Sequence, residues 1–359
     1  MWRDPRNELR KPLHIFLYLL SLPYGAAVRT RNRLFDNGFL KQQRIGCPVI
    51  SVGNLTVGGT GKTPMVILLA GMLKDRGLRP AVLSRGYGGK STADVLVVSD
   101  GSQVFAGPEQ AGDEPVLIAR RLKDVPVLAG PKRAVTGQYA LEHFDVDAIL
   151  LDDGFQHRYL KRDLDIVLLD SRQPLGNGYL LPRGPLREPP SALERAGVIA
   201  FTRSGSGDAG EIDARLPGIL SGRVVLRTRV RPTSLTTLDG EERPLSFLQG
   251  KRVFAFAGIA QPDSFRQTVE SLGGIIAGFR AFPDHHGYSS QDLGRIENEA
   301  GLARADILLT TEKDLVKLSE APKLPPRTHG LSIETEILDG RERLDETLRE
   351  VLRAVRRDR

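Results

Sequence analysis

From about residue 45 onward the chain alternates between short apolar runs and longer mixed stretches. The runs at 48–52, 79–83, 148–151, 166–169, 198–201, 253–257 and 307–309 carry Val, Ile and Leu on consecutive positions. Strands buried on both faces read this way, because neither side of the pleat meets water. Between several of them the apolar positions take helical spacing, as at 64–76 and 115–122. That rhythm predicts an α/β fold built on a doubly wound parallel sheet. Residues Leu344, Leu348, Val351, Leu352 and Val355 share one helical face, so the stretch 344–359 reads as a closing amphipathic helix.

Two passages interrupt the alternation. Residues 94–105, with Asp100-Gly101 at the centre, read as an inserted β-hairpin. Residues 223–231 read as an extended ribbon joining a second, smaller α/β domain. The expected layout is a basic, apolar N-terminal segment (1–44), a core (45–222), the smaller domain with its ribbon (223–330), and a closing strand and helix (331–359).

A chain of 359 residues is long enough for two domains, which usually run to roughly 100–200 residues each. With 40% hydrophobic and 26% charged residues it is neither disordered nor polytopic. A single cysteine, Cys47, permits no internal disulfide and favours a reducing compartment. Charge changes the picture more. Residues 1–44 hold nine basic side chains (Arg3, Arg6, Arg10, Lys11, Arg29, Arg31, Arg33, Lys41, Arg44) against Asp4, Glu8 and Asp36, most of the formal +7 of the whole chain. Such a segment seeks an anionic surface. Among those charges lies the apolar run 13–22, shorter than the roughly 20 residues a membrane span needs and marked by His14 and, just beyond it, Pro23. Asp4 and Glu8 speak against a signal peptide. Two readings stand: a helix lying in the cytoplasmic face of a membrane, which we expect, or a helix docked on the core.

Polar residues follow each predicted strand: Gly53-Asn54, Ser84-Arg85-Gly86, Asp152-Asp153, Asp170-Ser171, Thr202-Arg203 and Thr310 to Asp314. In open α/β sheets the ligand sits beyond these carboxyl ends. The first strand leads into Thr56-Val57-Gly58-Gly59-Thr60-Gly61-Lys62-Thr63 and then a helix. Glycines let backbone N–H groups wrap phosphates, a lysine reaches the β- and γ-oxygens, and a hydroxyl ligates Mg²⁺. Thr56 stands where the strict pattern has its first glycine. The apolar strand ending in Asp152-Asp153 is where such folds hold Mg²⁺, with Asp152 on the metal side. Gly112-Asp113-Glu114-Pro115 reads as a helix start capped by Asp113, or as a carboxylate poised to accept a proton or a metal. Asp284-His285-His286 is a candidate for acid–base work, the alternative being a solvated loop.

In this order the motifs resemble the tetraacyldisaccharide 4′-kinase family, the lipid A 4′-kinases of Gram-negative bacteria. The resemblance runs through the basic apolar start, Ser51-Val52-Gly53-Asn54, the glycine loop, Ser84 to Gly88, Gly112 to Pro115 and Gly130-Pro131-Lys132-Arg133. It continues through Asp152 to His157, Leu181 to Glu188, Asp284-His285 and Thr311-Glu312-Lys313-Asp314. It implies an ATP- and Mg²⁺-dependent phosphotransferase that phosphorylates the 4′-hydroxyl of an acylated glucosamine disaccharide 1-phosphate lipid at the cytoplasmic face of the inner membrane. Neither a nucleic acid nor an obligate protein partner is implied. By the same resemblance Asp113 with His285 forms the base, Asp284 sits beside His285, and Lys62, Arg133 and Arg187 neutralise phosphate charge. Thr63, Asp152, Asp153, Glu114 and Glu188 are then the groups around Mg²⁺. Asp113 and His285 fall in different predicted domains and would meet only on domain closure. The rival classes are a membrane-associated P-loop ATPase or GTPase acting as a switch or chaperone, and a soluble small-molecule kinase. The stretch Thr311 to Asp314 does not have the spacing of a guanine-reading motif.

Overall fold

The computed structural model describes residues 12–205, 216, 218–318 and 327–357. The basic start (Arg3 to Lys11) and all but the last residue of the Pro-rich stretch 321–327 lie outside them. In chain order the elements are α1 (Pro12–Asp36), β1 (Val49–Asn54), α2 (Lys62–Lys74), β2 (Pro80–Ser84), β3 (Leu96–Ser99), α3 (Pro108–Ala111), α4 (Asp113–Arg121), β4 (Val127–Ala129), α5 (Arg133–His143), β5 (Ala148–Asp152) and β6 (Leu164–Asp170). There follow β7 (Val198–Thr202), β8 (Val224–Thr237), β9 (Glu242–Arg243), β10 (Arg252–Ala257), α6 (Pro262–Ser271), β11 (Ile275–Ala281), α7 (Ser290–Leu302), β12 (Ile307–Thr311), α8 (Glu312–Leu318), β13 (Thr328–Asp339) and α9 (Arg341–Arg357). Each of the seven apolar runs is a strand. The expected ribbon is the start of β8, which pairs in parallel with β7 (Val198↔Val224, Phe201↔Arg227) and so belongs to the sheet.

The chain divides into two compact units, each assembled from separated segments. Unit 1 comprises Met1–Arg85, Gly130–Val230 and Thr335–Arg359; unit 2 comprises Gly86–Ala129 and Arg231–Glu334. The insertion 86–129 therefore counts with the later residues, not with the sequence core around it.

In unit 1 six parallel strands stand in the order β8-β7-β6-β1-β5-β2. Every residue of β1, β2, β5 and β7 is buried, which is why these strands lack polar alternation. Strand β1 sits between β5 and β6, yet the chain leaves it for β2 beyond β5. That reversal opens the crevice in which doubly wound sheets bind ligands. Helix α2 covers the sheet with Met65, Val66, Leu69 and Leu73, all wholly buried. Each contributes about 1.5–3 kcal/mol of transfer free energy. Helix α9 buries Leu344 and Leu348 completely, and its Asp345 pairs with Arg76 just past α2 at 2.5 Å.

Helix α1 has a buried half and an exposed half. Ser21, Gly25, Val28, Asn32 and Phe35 form a buried stripe at helical spacing. Arg158 anchors this half: it donates to the Asn32 carbonyl (3.1 Å) and the Asp36 carboxylate (2.7 Å), and stacks over the Phe35 ring. The first half is different. Leu13, Ile15, Phe16, Leu19, Leu20 and Leu22 are each 43–57% exposed. Among the described residues no helix is long and apolar enough to cross a membrane.

Unit 2 is a smaller α/β unit. Strands β11-β10-β12-β13 run parallel, with β9 antiparallel to the end of β8. Phe265 and Val269 of α6 pack in one apolar cluster, and Leu293, Ile296 and Ala300 of α7 in another. The hairpin at 94–105 is present: Phe105 N–H donates to Val98 (2.8 Å), Ser99 bridges Val104, and β3 pairs antiparallel with β4. Helix α4 packs on α8.

Candidate active site

The phosphate loop of unit 1 leaves β1 at Asn54 and ends where α2 begins at Lys62. Gly61, the cap just before α2, has φ 82°, a left-handed conformation that a side chain resists. Thr56 forms an antiparallel bridge with Leu186, Val57 N–H donates to Pro185 (2.8 Å), and Arg187 N–H donates to Leu55 (2.7 Å). The loop entry is thus a short extended pairing, which a β-branched residue suits and which needs no glycine at 56. Asn54 Nδ2 donates to Thr60 Oγ1 at 2.9 Å, tying the strand tip to the middle of the loop.

Asp153, just past β5, is the hub of this site. Its backbone is left-handed (φ 51°), an uncommon state for a non-glycine residue and one that clusters at functional sites. Lys62 Nζ lies 3.7 Å from Asp153 Oδ1, and Arg187 Nη1 donates to both of its oxygens at 3.0 and 2.8 Å. Burial alone would raise the Asp153 carboxyl, but Lys62 and Arg187 hold it below its ordinary value. Asp152 is buried at the end of β5, in register with Val52 of β1. Thr63 is buried in the first turn of α2. Arg133 opens α5, is only 4% exposed, and donates through Nη1 to the Pro131 carbonyl, while its Nε has no partner among the described residues. Burial, then the nearby charge of Arg85, lowers its guanidinium to about 10, against the pull of Asp153 and Asp152. Burial and then Arg133 push His157 down to about 4, so it is neutral at physiological pH. Buried, crowded cations of this kind gain by meeting an anion.

Glu188 is not among these groups. It is wholly buried, and its carboxylate accepts from Asn32 Nδ2 (2.6 Å) and Arg195 Nη2 (3.1 and 3.0 Å), with Arg31 3.7 Å away. Its carboxylate thereby ties Asn32 of α1 to Arg195. Arg187 and Glu188, though adjacent, pair separately: one reaches Asp153, the other α1.

The second cluster lies wholly in unit 2, and corrects the expectation that Asp113 and His285 belong to different domains. His285 Nδ1 is 3.2 and 3.1 Å from the two oxygens of Asp113. The cap of α4 is Gly112 (φ 88°), not Asp113; the Asp113 side chain is the first of the helix, 4% exposed, and accepts from Glu114 N–H at 2.9 Å. His285 too is left-handed (φ 59°). Its N–H donates to Asp284 Oδ1 (3.1 Å). Lys313 Nζ lies 3.3 Å from His285 Nε2, 3.0 Å from Glu114 Oε1 and 3.9 Å from Asp113. Lys317 Nζ stands 3.8 Å from Asp113. Burial would raise Asp113, but the hydrogen bond with His285 and the charge of Lys313 keep it below its ordinary value. The same hydrogen bond raises His285, against burial and Lys313. Glu114, expected at the metal, is paired with Lys313 and lies in the other unit from Thr63, Asp152 and Asp153. His286 turns away to Asp292 at 3.3 Å.

Lys313 and Arg85 received no role from the sequence, although both stand in motifs quoted for the resemblance. The signal was their place just past the ends of β12 and β2.

A glycine loop opening a helix, a strand tipped by two carboxylates and a doubly wound parallel sheet define the P-loop kinase class. The family model for tetraacyldisaccharide-1-P 4′-kinase matches residues 13–353. The tetraacyldisaccharide 4′-kinases of Syntrophus aciditrophicus and Anaeromyxobacter dehalogenans are 49% and 44% identical over 354 residues each, spanning 94% and 97% of this chain and 93% of each relative. A crystal structure of LpxK from Aquifex aeolicus in complex with ATP superposes with a TM-score of 0.78 at 35% identity, covering 95% of this chain and 99% of that one. The chain belongs to the tetraacyldisaccharide 4′-kinase family.

Proposed function

We propose that the protein transfers the γ-phosphate of ATP to the 4′-hydroxyl of a tetraacylated glucosamine disaccharide 1-phosphate, yielding lipid IVA for lipid A biosynthesis. The observation that carries this reading is the glycine loop that delivers Lys62 to Asp153 and Arg187. Backbone N–H groups of residues 58–63 hold the phosphates, Lys62 and Arg133 offset their charge, and Arg187 orients Asp153. The Thr63 hydroxyl and the carboxylates of Asp152 and Asp153 are an all-oxygen set that fits Mg²⁺, which is usually bound by one or two carboxylates together with substrate phosphates. When bound, Mg²⁺ neutralises charge on the β- and γ-oxygens.

The hydroxyl oxygen bonds to the γ-phosphorus as the bond to the β-phosphate oxygen breaks, and the hydroxyl proton passes to the Asp113–His285 pair. Asp113, held ionised, is a weak base. That suffices where the transition state is loose and proton removal is a minor part of the barrier. Lys313 braces His285 and Glu114 and is a positioning residue for the pair.

An acylated acceptor stays in the membrane, so the enzyme must meet it there. We assign that contact to the exposed apolar half of α1 at the cytoplasmic face of the inner membrane, supported by Arg29 and Arg33. The test is to incubate purified protein with ATP labelled in its γ-phosphate and the tetraacyldisaccharide 1-phosphate in mixed micelles. Label in a lipid bisphosphate is expected. Label released only as inorganic phosphate would indicate an ATPase and overturn the reading.

A further inference from the structure

We infer that Arg203 is a positioning residue that sets the direction of the phosphate loop's amides; the inference rests on the ATP-binding reading above. Strands β6 and β7 end side by side, with Asp170 in register with Thr202. Beyond them Ser171 N–H donates to the Thr202 carbonyl (3.0 Å) and Ser171 Oγ to the Arg203 carbonyl (3.0 Å), while Ser204 N–H donates to Thr228 (3.0 Å). The backbone of Arg203 is therefore held on both sides in a left-handed conformation (φ 58°), a state that persists only when its surroundings over-determine it. What this strained tip presents is a guanidinium paired with the Asp170 carboxylate, whose Nη2 donates at 3.0 Å to the carbonyl of Gly59, inside the phosphate loop.

A trans peptide is planar, so its C=O and its N–H point in opposite directions. Holding the Gly59 carbonyl on Arg203 directs the N–H of Thr60 the other way. Asn54 Nδ2 acts similarly one residue earlier, at a longer 3.5 Å from the Gly58 carbonyl. Loops that bind phosphate do so with successive N–H groups converging on one anion. A Gly-Gly segment left to itself can rotate either peptide and offer an oxygen to the phosphate instead. Arginine fits this duty because its planar fork can satisfy a carboxylate and a carbonyl together, which a lysine does less well.

The experiment measures ATP binding by calorimetry, with melting temperature and steady-state kinetics, for the full chain and for Arg203→Ala, Arg203→Lys and Asp170→Asn. Arg203→Ala is expected to weaken ATP binding about ten- to hundredfold, the scale of one hydrogen bond from a charged donor. Arg203→Lys and Asp170→Asn should fall between it and the parent. The apparent KM for ATP should rise in step, with kcat at saturating ATP, KM for the lipid acceptor and melting temperature nearly unchanged. Unaltered ATP affinity in Arg203→Ala would overturn the inference. So would a fall in kcat with affinity intact, which would make Arg203 a group that touches the transferring phosphate. Failure of the parent protein to bind ATP would overturn the functional reading and this inference with it.

Discussion

The two clusters are built in opposite ways. In unit 1 the phosphate loop is local: eight consecutive residues, Thr56 to Thr63, running from just past β1 into the first turn of α2, supply the loop, the lysine and the hydroxyl, and most of its positioning comes from backbone. In unit 2 the Asp113–His285 cluster is held mainly by side chains meeting one another, from α4, the loop after β11 and the start of α8, with Asp113 and His285 172 positions apart in the chain. A backbone site tolerates change at most side chains except the few that carry charge. A side-chain site fails as a unit when one member goes, and its parts have no recognisable spacing.

The largest test of that contrast is Lys62→Ala. Turnover should fall about a thousandfold while melting temperature holds, since removing one group that stabilises transferring charge costs about 10²–10³ or more. Near-normal turnover would remove the loop from the mechanism.

Next come Asp113→Ala and His285→Ala. Each should lower turnover a few hundredfold, within the roughly 10²–10⁴ of general-base catalysis, with ATP affinity little changed. Because groups that act together lose function non-additively, the double variant should be hardly worse than the poorer single. Losses that multiply would mean two independent sites rather than one pair.

Glu188→Ala sharpens the comparison from the structural side. It removes a wholly buried carboxylate and leaves the half-buried Arg195 without its partner, a loss on the order of 3 kcal/mol, so melting temperature should drop by several degrees. Unchanged stability together with a large activity loss would return Glu188 to the metal site.

A fourth test separates membrane attachment from chemistry. Phe16→Asp with Leu19→Asp should release the protein from anionic vesicles in a sedimentation assay, yet leave turnover on micellar substrate within about twofold, because both side chains are exposed. Continued pelleting would locate the contact elsewhere.

The smallest effect is electrostatic. The imidazole of His285 should titrate, by NMR, above its ordinary value near 6.5, and Asp113→Asn should bring it back down. The stability this hydrogen bond adds is fully present below that ordinary value and declines as pH rises through the raised one. The stability difference between parent and Asp113→Asn should therefore narrow toward alkaline pH. A difference that widens would contradict the sign.

What could be read from the sequence follows the same division. Consecutive Val, Ile and Leu disclosed the buried strands, and the glycine loop disclosed the nucleotide site, because both are local patterns. Asp113 and His285 could be paired only through resemblance, since nothing in their spacing brings α4 to the end of β11. Their placement in separate domains was an error of the same origin: the insertion 86–129 was assigned to the segment around it. Glu188 was placed at the metal only through resemblance, since nothing in the local sequence discloses the buried partners Asn32 and Arg195 that it meets in the structure. The N-terminal run was ambiguous because it is two things, an apolar exposed half and a half whose buried stripe holds Asn32.

The interleaving of the units also fixes a timetable. On a ribosome adding about 5–20 residues per second, the stretch Arg231–Glu334 takes roughly 5–20 seconds to emerge. Only then do the last pieces of unit 1 appear, including α9 with Leu344 and Leu348. A nucleotide-binding unit begun by the first segments of the chain is thus completed by its last, and until then the apolar surface awaiting α9 stays open to water, to chaperones and to other nascent chains.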